Sequence, residues 1–179
     1  ESIEILKGPS SVLYGQTPPG GIVNMTSRRP LRESLGELGV QYGSFDHMQI
    51  NGDYTGPIND VVSFRLTGLY RNNETQTDFV EGKRVYLAPA VTFDFSDAAK
   101  LTLLGFYQED DIDNWAGGFL PAAGTLLPNP NGKIPVSLSM AEPGVNSYYR
   151  EQYGVGYDFS YVFNEQFTLQ QNLKFFSAD

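Results

Sequence analysis

The feature that most constrains this chain is a two-residue alternation of apolar and polar side chains that begins near Leu35 and runs almost to the end. A period of two belongs to β-strands, whose successive side chains point to opposite faces. Residues 36–43 set Leu38, Val40 and Tyr42 against Glu37, Gly39 and Gln41. In 47–54, Met48, Ile50 and Tyr54 oppose His47, Gln49, Asn51 and Asp53. The pattern returns in 61–71 (Phe64 and Leu66 against Arg65 and Thr67), in 83–95 (Val91 and Phe93 against Ala90 and Thr92) and in 101–108. It is clearest where Tyr153, Val155, Tyr157, Phe159, Tyr161 and Phe163 face Gln152, Gly154, Gly156, Asp158 and Ser160. A seventh run sets Phe167, Leu169, Leu173 and Phe175 against Thr168, Gln170, Asn172 and Lys174. The expected class is therefore all-β and mainly antiparallel.

Several runs exceed the roughly 5–6 residues of ordinary strands. They reach the roughly 9–11 tilted residues that cross a bilayer. The connections are also sorted. Every second one is a short turn, at Gly56 to Asp60, Ser96 to Ala99 and Asn164-Glu165, while the others include Asn72 to Gly82 and a long Asp110 to Ser147 segment. Outer-membrane barrels keep short turns on the periplasmic side and longer loops outside. A soluble β-sandwich binding module, the alternative from another class, has no reason to sort its loops. Tyr107, Tyr148, Tyr149, Tyr161 and Phe163 lie near strand ends, where interfacial girdles form; in the soluble alternative they pack a core.

Composition narrows the function. Charged residues make up 18%, below the roughly 25% of soluble domains, as expected of a surface that is either less wet or strongly β. The net charge of −9 argues against a nucleic-acid partner, which needs clustered cations. There is no cysteine and one histidine, His47, on the polar side of a strand with no nucleophile to activate. No catalytic residues and no metal site are expected. The acidic run Glu109 to Asp113 lacks the ligand spacing and turn glycine of a calcium loop and reads as a solvated loop base. Gly15 to Gly21 lacks the Gly-Lys-Ser/Thr ending of a phosphate loop and reads as a structural corner.

The first thirty residues differ in kind. Ile3, Ile5 and Leu6 form a short apolar run stopped by Gly8-Pro9, and Ile22, Val23 and Met25 form another that ends at Arg28-Arg29-Pro30. The run Ile5-Leu6-Lys7-Gly8-Pro9-Ser10-Ser11-Val12-Leu13-Tyr14-Gly15, followed by Pro19-Gly20-Gly21-Ile22-Val23-Asn24-Met25 and Arg29-Pro30, resembles the end of the plug of TonB-dependent outer-membrane receptors. Within that family the chain is similar to the ferrichrome-type hydroxamate branch of ferric-siderophore receptors. The resemblance continues through Arg65 to Leu69, Ala88-Pro89-Ala90, Leu120-Pro121, Gly124-Thr125, Pro130 to Lys133 and Gln171-Asn172-Leu173.

That resemblance implies two parts: residues 1–30 as the C-terminal end of a plug, and residues 31–179 as the first seven or so strands of a transmembrane barrel of about 22 strands. The chain does not begin with Met, and the resemblance makes it an internal piece, with a leader and the TonB-contacting box upstream. It implies a bacterial outer-membrane location and import of a ferric siderophore driven by the TonB partner. No intrinsic cofactor is implied, since the siderophore satisfies Fe³⁺ with its own oxygens. It places Tyr14 at the plug apex as a siderophore contact, and Phe119, just before Leu120-Pro121, where the branch presents an aromatic contact. Here that residue is Phe rather than Trp, and Gly117 stands where the pattern has Tyr; nearby Trp115 is the compensating candidate. Arg28 and Arg29 are placed to pair with carboxylates such as Glu37 or Asp53. A receptor of the same family for cobalamin, haem or a glycan is the alternative cargo reading.

An unclosed sheet leaves unpaired backbone groups that lipid does not tolerate. Residues 31–179 expressed alone are expected to sediment as aggregate in detergent-free buffer. A soluble monomer in analytical ultracentrifugation would instead support the sandwich.

Overall fold

The structure is a computed structural model describing residues 2–8, 18–115 and 119–179. Among these, β1 (Ser2–Lys7) and β2 (Gly21–Thr26) form a two-stranded antiparallel sheet. The rest is one seven-stranded sheet in simple chain order: β3 (Leu35–Gly43), β4 (His47–Pro57), β5 (Val62–Glu74), β6 (Glu81–Ser96), β7 (Ala99–Asp113), β8 (Ser147–Asn164) and β9 (Phe167–Ala178). Each strand is antiparallel to the next.

In the small hairpin, Gly21 has φ +118, and a Cβ there would fall 2.1 Å from the Leu6 carbonyl oxygen. Only glycine allows the Lys7–Gly21 pairing that closes the ladder.

In the large sheet the register carries the alternation across all seven strands, with shifts close to two short turns, between Asp94 and Ser96 and between Val162 and Asn164. Directly opposed residues share a face. One row therefore runs Phe64, Val91, Leu103, Tyr157, Leu173, and a row on the opposite face runs Thr55, Arg65, Ala90, Leu104, Gly156, Lys174. A slip of one residue in any pair would put a strand's apolar set among polar neighbours.

Burial is inverted relative to a water-soluble protein. Val40 and Leu173 on the apolar face are 69% and 64% exposed, whereas Thr55 and Ser63 on the other face are 0% and 1%. Among the described residues the buried hydrophobic side chains are only Val80 and Ala90. Thr92 and Thr102, opposed on the inner face, satisfy each other through a 3.0 Å hydroxyl contact. Among the described residues no second sheet packs on Tyr153, Tyr157 and Phe159, which argues against the soluble sandwich. The apolar face is suited to hydrocarbon. Its height fits: the nine residues from Tyr153 to Tyr161 span about 27 Å of strand, or about 20 Å along the membrane normal at a tilt of about 40°.

Two expectations need correction. The strands reach further into the charged segments than alternation alone indicates. β5 and β6 leave only residues 75–80 between them, and β7 runs to Asp113. Glu109 to Asp113 is thus paired strand, not a loop base. Asp110 is buried on the inner face, where it accepts from Arg84 Nε and from Gln108 Nε2 at 2.7 Å. Partners on its own and the neighbouring strand outweigh the low strand preference of aspartate. Tyr148 likewise lies on the same face as Arg150 and Gln152, not on the apolar one with a girdle.

A charge at mid-height on the apolar face should therefore be costly. Leu103→Arg is expected to lower unfolding free energy by about 2–4 kcal/mol in denaturant titrations of the lipid-reconstituted protein. Gln170→Arg, on the exposed inner face of β9, is expected to stay within about 0.5 kcal/mol.

Candidate functional site

Residues 27–34, between β2 and β3, cross the inner face of the large sheet, and their polar contacts are of two kinds. The first lies deep on that face. Asp53 on β4 accepts two bonds from Arg65 on β5, from Nε at 3.0 Å and Nη2 at 2.5 Å, and a third from Thr67 Oγ1 at 2.5 Å. Both charged side chains are nearly shielded from solvent, at 12% and 11% exposed. A two-pronged, screened pair of this kind is worth far more than a surface ion pair. Arg28 Nη1 adds to it, 3.6 Å from the Asp53 carboxylate. Its 4.0 Å approach to the exposed Glu37 adds little. Arg65 also donates from Nη1 to the Arg29 carbonyl at 3.0 Å, so the strand holds the backbone of the crossing segment as well. The Arg29 guanidinium reaches across to Asp158 on β8.

The second kind of contact sits at the short-turn rim. Leu31 N donates to Thr55 Oγ1 at 2.8 Å, and that hydroxyl passes the bond on to the Phe64 carbonyl at 2.9 Å. Arg32 donates to Asp94 from Nε at 2.9 Å and Nη2 at 2.6 Å, and to the carbonyls of Asn59 and Val61 at 3.0 Å each. Lys100 Nζ sits 3.1 Å from the same Asp94. Between the crossing segment and the inner face lies a crevice of about 490 Å³, lined among others by Met25, Arg29, Tyr86, Phe106 and Asp158. Gly156 keeps one wall flat; a Cβ there would fall 2.6 Å from the Leu173 carbonyl oxygen.

At the opposite end lies the long connection between β7 and β8, described over residues 114–115 and 119–146. It carries its own ladder: Gly124 N donates to the Leu127 carbonyl and Ile134 N to the Gly124 carbonyl, each at 2.8 Å. It is tied to the 75–80 connection by Asp78 N donating to the Ser137 carbonyl at 2.7 Å. Trp115 stands near its start, half exposed, with its ring 6.0 Å from that of Tyr148 at a tilt of 44°. Phe119 is 96% exposed. The two aromatic candidates therefore share one loop, one supported by a neighbouring ring and the other free to meet a partner. Tyr14, the third candidate, lies outside the described residues. Among the described residues no group of three or more His, Cys, Asp or Glu is placed to hold a metal ion.

Arg28 meets both carboxylates expected of it, Glu37 and Asp53, whereas Arg29 finds Asp158 instead. The Arg65–Asp53–Thr67 cluster and the Arg32 rim contact are additional. The first was signalled by three polar-face residues on adjacent predicted strands. The second had no sequence signal, because Asp94 lies 62 positions away.

Comparison with known proteins gives the arrangement a family. No protein-family model matches the chain. It is 39% identical over 178 residues to the ferrichrome outer-membrane transporter and phage receptor of Escherichia coli K12, covering 98% of this chain and 24% of that protein. It is 33% identical over 177 residues to the ferrioxamine B receptor of Salmonella typhimurium, covering 98% and 25%. The chain thus spans about a quarter of the length of these relatives. Among solved structures, the ferripyoverdine receptor of Pseudomonas aeruginosa superposes with a TM-score of 0.86 at 21% identity, over 96% of this chain and 23% of that one. The open form of the ferric-catecholate import receptor of E. coli K12 does so with a TM-score of 0.86 at 22% identity, over 98% and 28%. The structural likeness shows the fold, and the sequence relatives are transport receptors. By sequence, by strand order and by the outward apolar face, the chain belongs to the TonB-dependent outer-membrane receptors for ferric siderophores.

Proposed function

We propose that residues 1–30 are the end of the plug and residues 31–179 the opening part of the wall of a closed barrel that imports a ferric hydroxamate siderophore. The observation that carries this reading is the 39% and 33% identity to receptors named for ferrichrome and ferrioxamine B, each over 98% of the chain. Both of those names denote hydroxamate complexes. The loop with Trp115 and Phe119 supports it by offering an aromatic surface at the end where the connections are long. An iron complex that arrives coordinatively saturated calls for packing and hydrogen bonding to its organic shell, which aromatic side chains with polar handles supply. In this reading Trp115 and Phe119 contact the complex from the wall and Tyr14 from the plug apex, while the TonB partner supplies the energy.

The ion pairs beneath the loops have a role in the same cycle. Arg28 and Arg29 hold the end of the plug to Asp53 and Asp158, and their release accompanies plug movement. The alternative cargoes, cobalamin, haem or a glycan, have no observation on this chain in their favour.

Binding tests the cargo. In the complete receptor, ferrichrome or ferrioxamine B is expected to quench a component of tryptophan emission that vanishes in Trp115→Phe. Phe119→Ala is expected to weaken binding about tenfold, the scale of one well-packed aromatic contact. No response to either complex, together with tight binding of cobalamin, haem or a glycan, would overturn the assignment. For the latch, Asp53→Asn is expected to speed amide exchange of residues 27–33 about tenfold, the effect of losing one charge-assisted tie. Unchanged exchange would remove the latch from the mechanism.

A further inference from the structure

Asn114 opens the long connection and immediately precedes Trp115. Its backbone is left-handed, with φ 55, a conformation that asparagine tolerates better than most side chains. Its carboxamide is used at both ends. Nδ2 donates to the Phe79 carbonyl at 2.7 Å, in the neighbouring 75–80 connection. Oδ1 accepts from the Gly144 backbone N–H at 2.7 Å, near the far end of its own loop. One side chain thus joins the start of the loop to its finish, 30 positions on, and ties both to the next loop.

The geometry is specific. Phe79 is itself left-handed, with φ 68, which turns its carbonyl into reach; Gly144 is left-handed with φ 79. Three unusual backbone positions converge on one amide group, and only a group with both a donor and an acceptor serves them. Val80, beside Phe79, is one of the few buried apolar side chains described.

We infer that Asn114 is a positioning residue for siderophore binding: it clamps the two ends of the long loop to the 75–80 connection and thereby fixes where Trp115 stands. This rests on the reading of that loop as the wall's contribution to the ligand site. Pre-setting a loop lowers the ordering cost of binding, so its loss acts mainly on complex lifetime.

The test uses the complete receptor in detergent, with ferrichrome as probe. Asn114→Gly keeps the left-handed backbone and removes both hydrogen bonds. It is expected to speed ligand-free amide exchange in 75–80 and 137–146, and to raise the ferrichrome dissociation rate about tenfold, as the loss of two modest hydrogen bonds implies. Asn114→Asp keeps the acceptor for Gly144 but not the donor for Phe79; it is expected to restore protection near Gly144 while leaving 75–80 fast. Unchanged exchange in Asn114→Gly overturns the clamp. Faster exchange with unaltered ferrichrome kinetics overturns the positioning role, since a purely structural tie would give that result. A wild-type receptor that ignores ferrichrome is tested with ferrioxamine B in its place; silence toward both, with tight binding of cobalamin, haem or a glycan, overturns the siderophore reading itself, and is told apart because the exchange comparison of Asn114→Gly with wild type still decides the clamp.

Discussion

Backbone amides and carbonyls cannot be left unpaired in hydrocarbon, and this requirement shapes every part of the chain. The seven strands meet it by pairing in simple order, so that each interior strand gives its hydrogen bonds to two neighbours. Once the register is set, side-chain parity does the rest. Apolar residues stand toward lipid and polar ones toward the barrel interior, and a hydrophobic core in the usual sense is not required. Threonines, serines and a few paired ions take its place as the buried layer.

That polar interior is what lets the same wall hold a separate element. An apolar inner face would bind the crossing segment through nonspecific contact area. A face carrying Asp53, Arg65 and Asp158 instead offers discrete, directional partners that residues 28 and 29 meet together only in one place. The buried Asp53–Arg65 pair is complete without Arg28. Removing the segment therefore leaves no uncompensated charge in the screened layer, and Asp158, which loses Arg29, is the more exposed carboxylate.

Much of this was legible in the sequence because strand parity is local information. The assignment of Leu103, Tyr157 and Leu173 to one face needed only alternate counting, and the sorting of short and long connections gave the orientation. Legibility failed where a distant partner decided the outcome. Nothing near Asp110 announces that Arg84 will draw it into a strand, and Arg29 meets Asp158 across 129 positions. Tyr148 is a different case: its parity with Arg150 and Gln152 already put it on the inner face, and nearness to a strand end misled. The aromatic residues of the long loop stood out by type, whereas Asn114 did not, since its importance lies in a backbone angle and two far-off amides.

The crossing segment also has a mechanical side. Its attachments are strung along the chain one after another: Arg28 and Arg29 first, then the Leu31 amide, then the four hydrogen bonds of Arg32 to Asp94 and the rim carbonyls. Tension arriving from β2 would load them singly, as a zipper is opened tooth by tooth, and not all at once as in a lap joint. The fastening with the most hydrogen bonds comes last, so the thread can peel away from the wall and still stay riveted at its root.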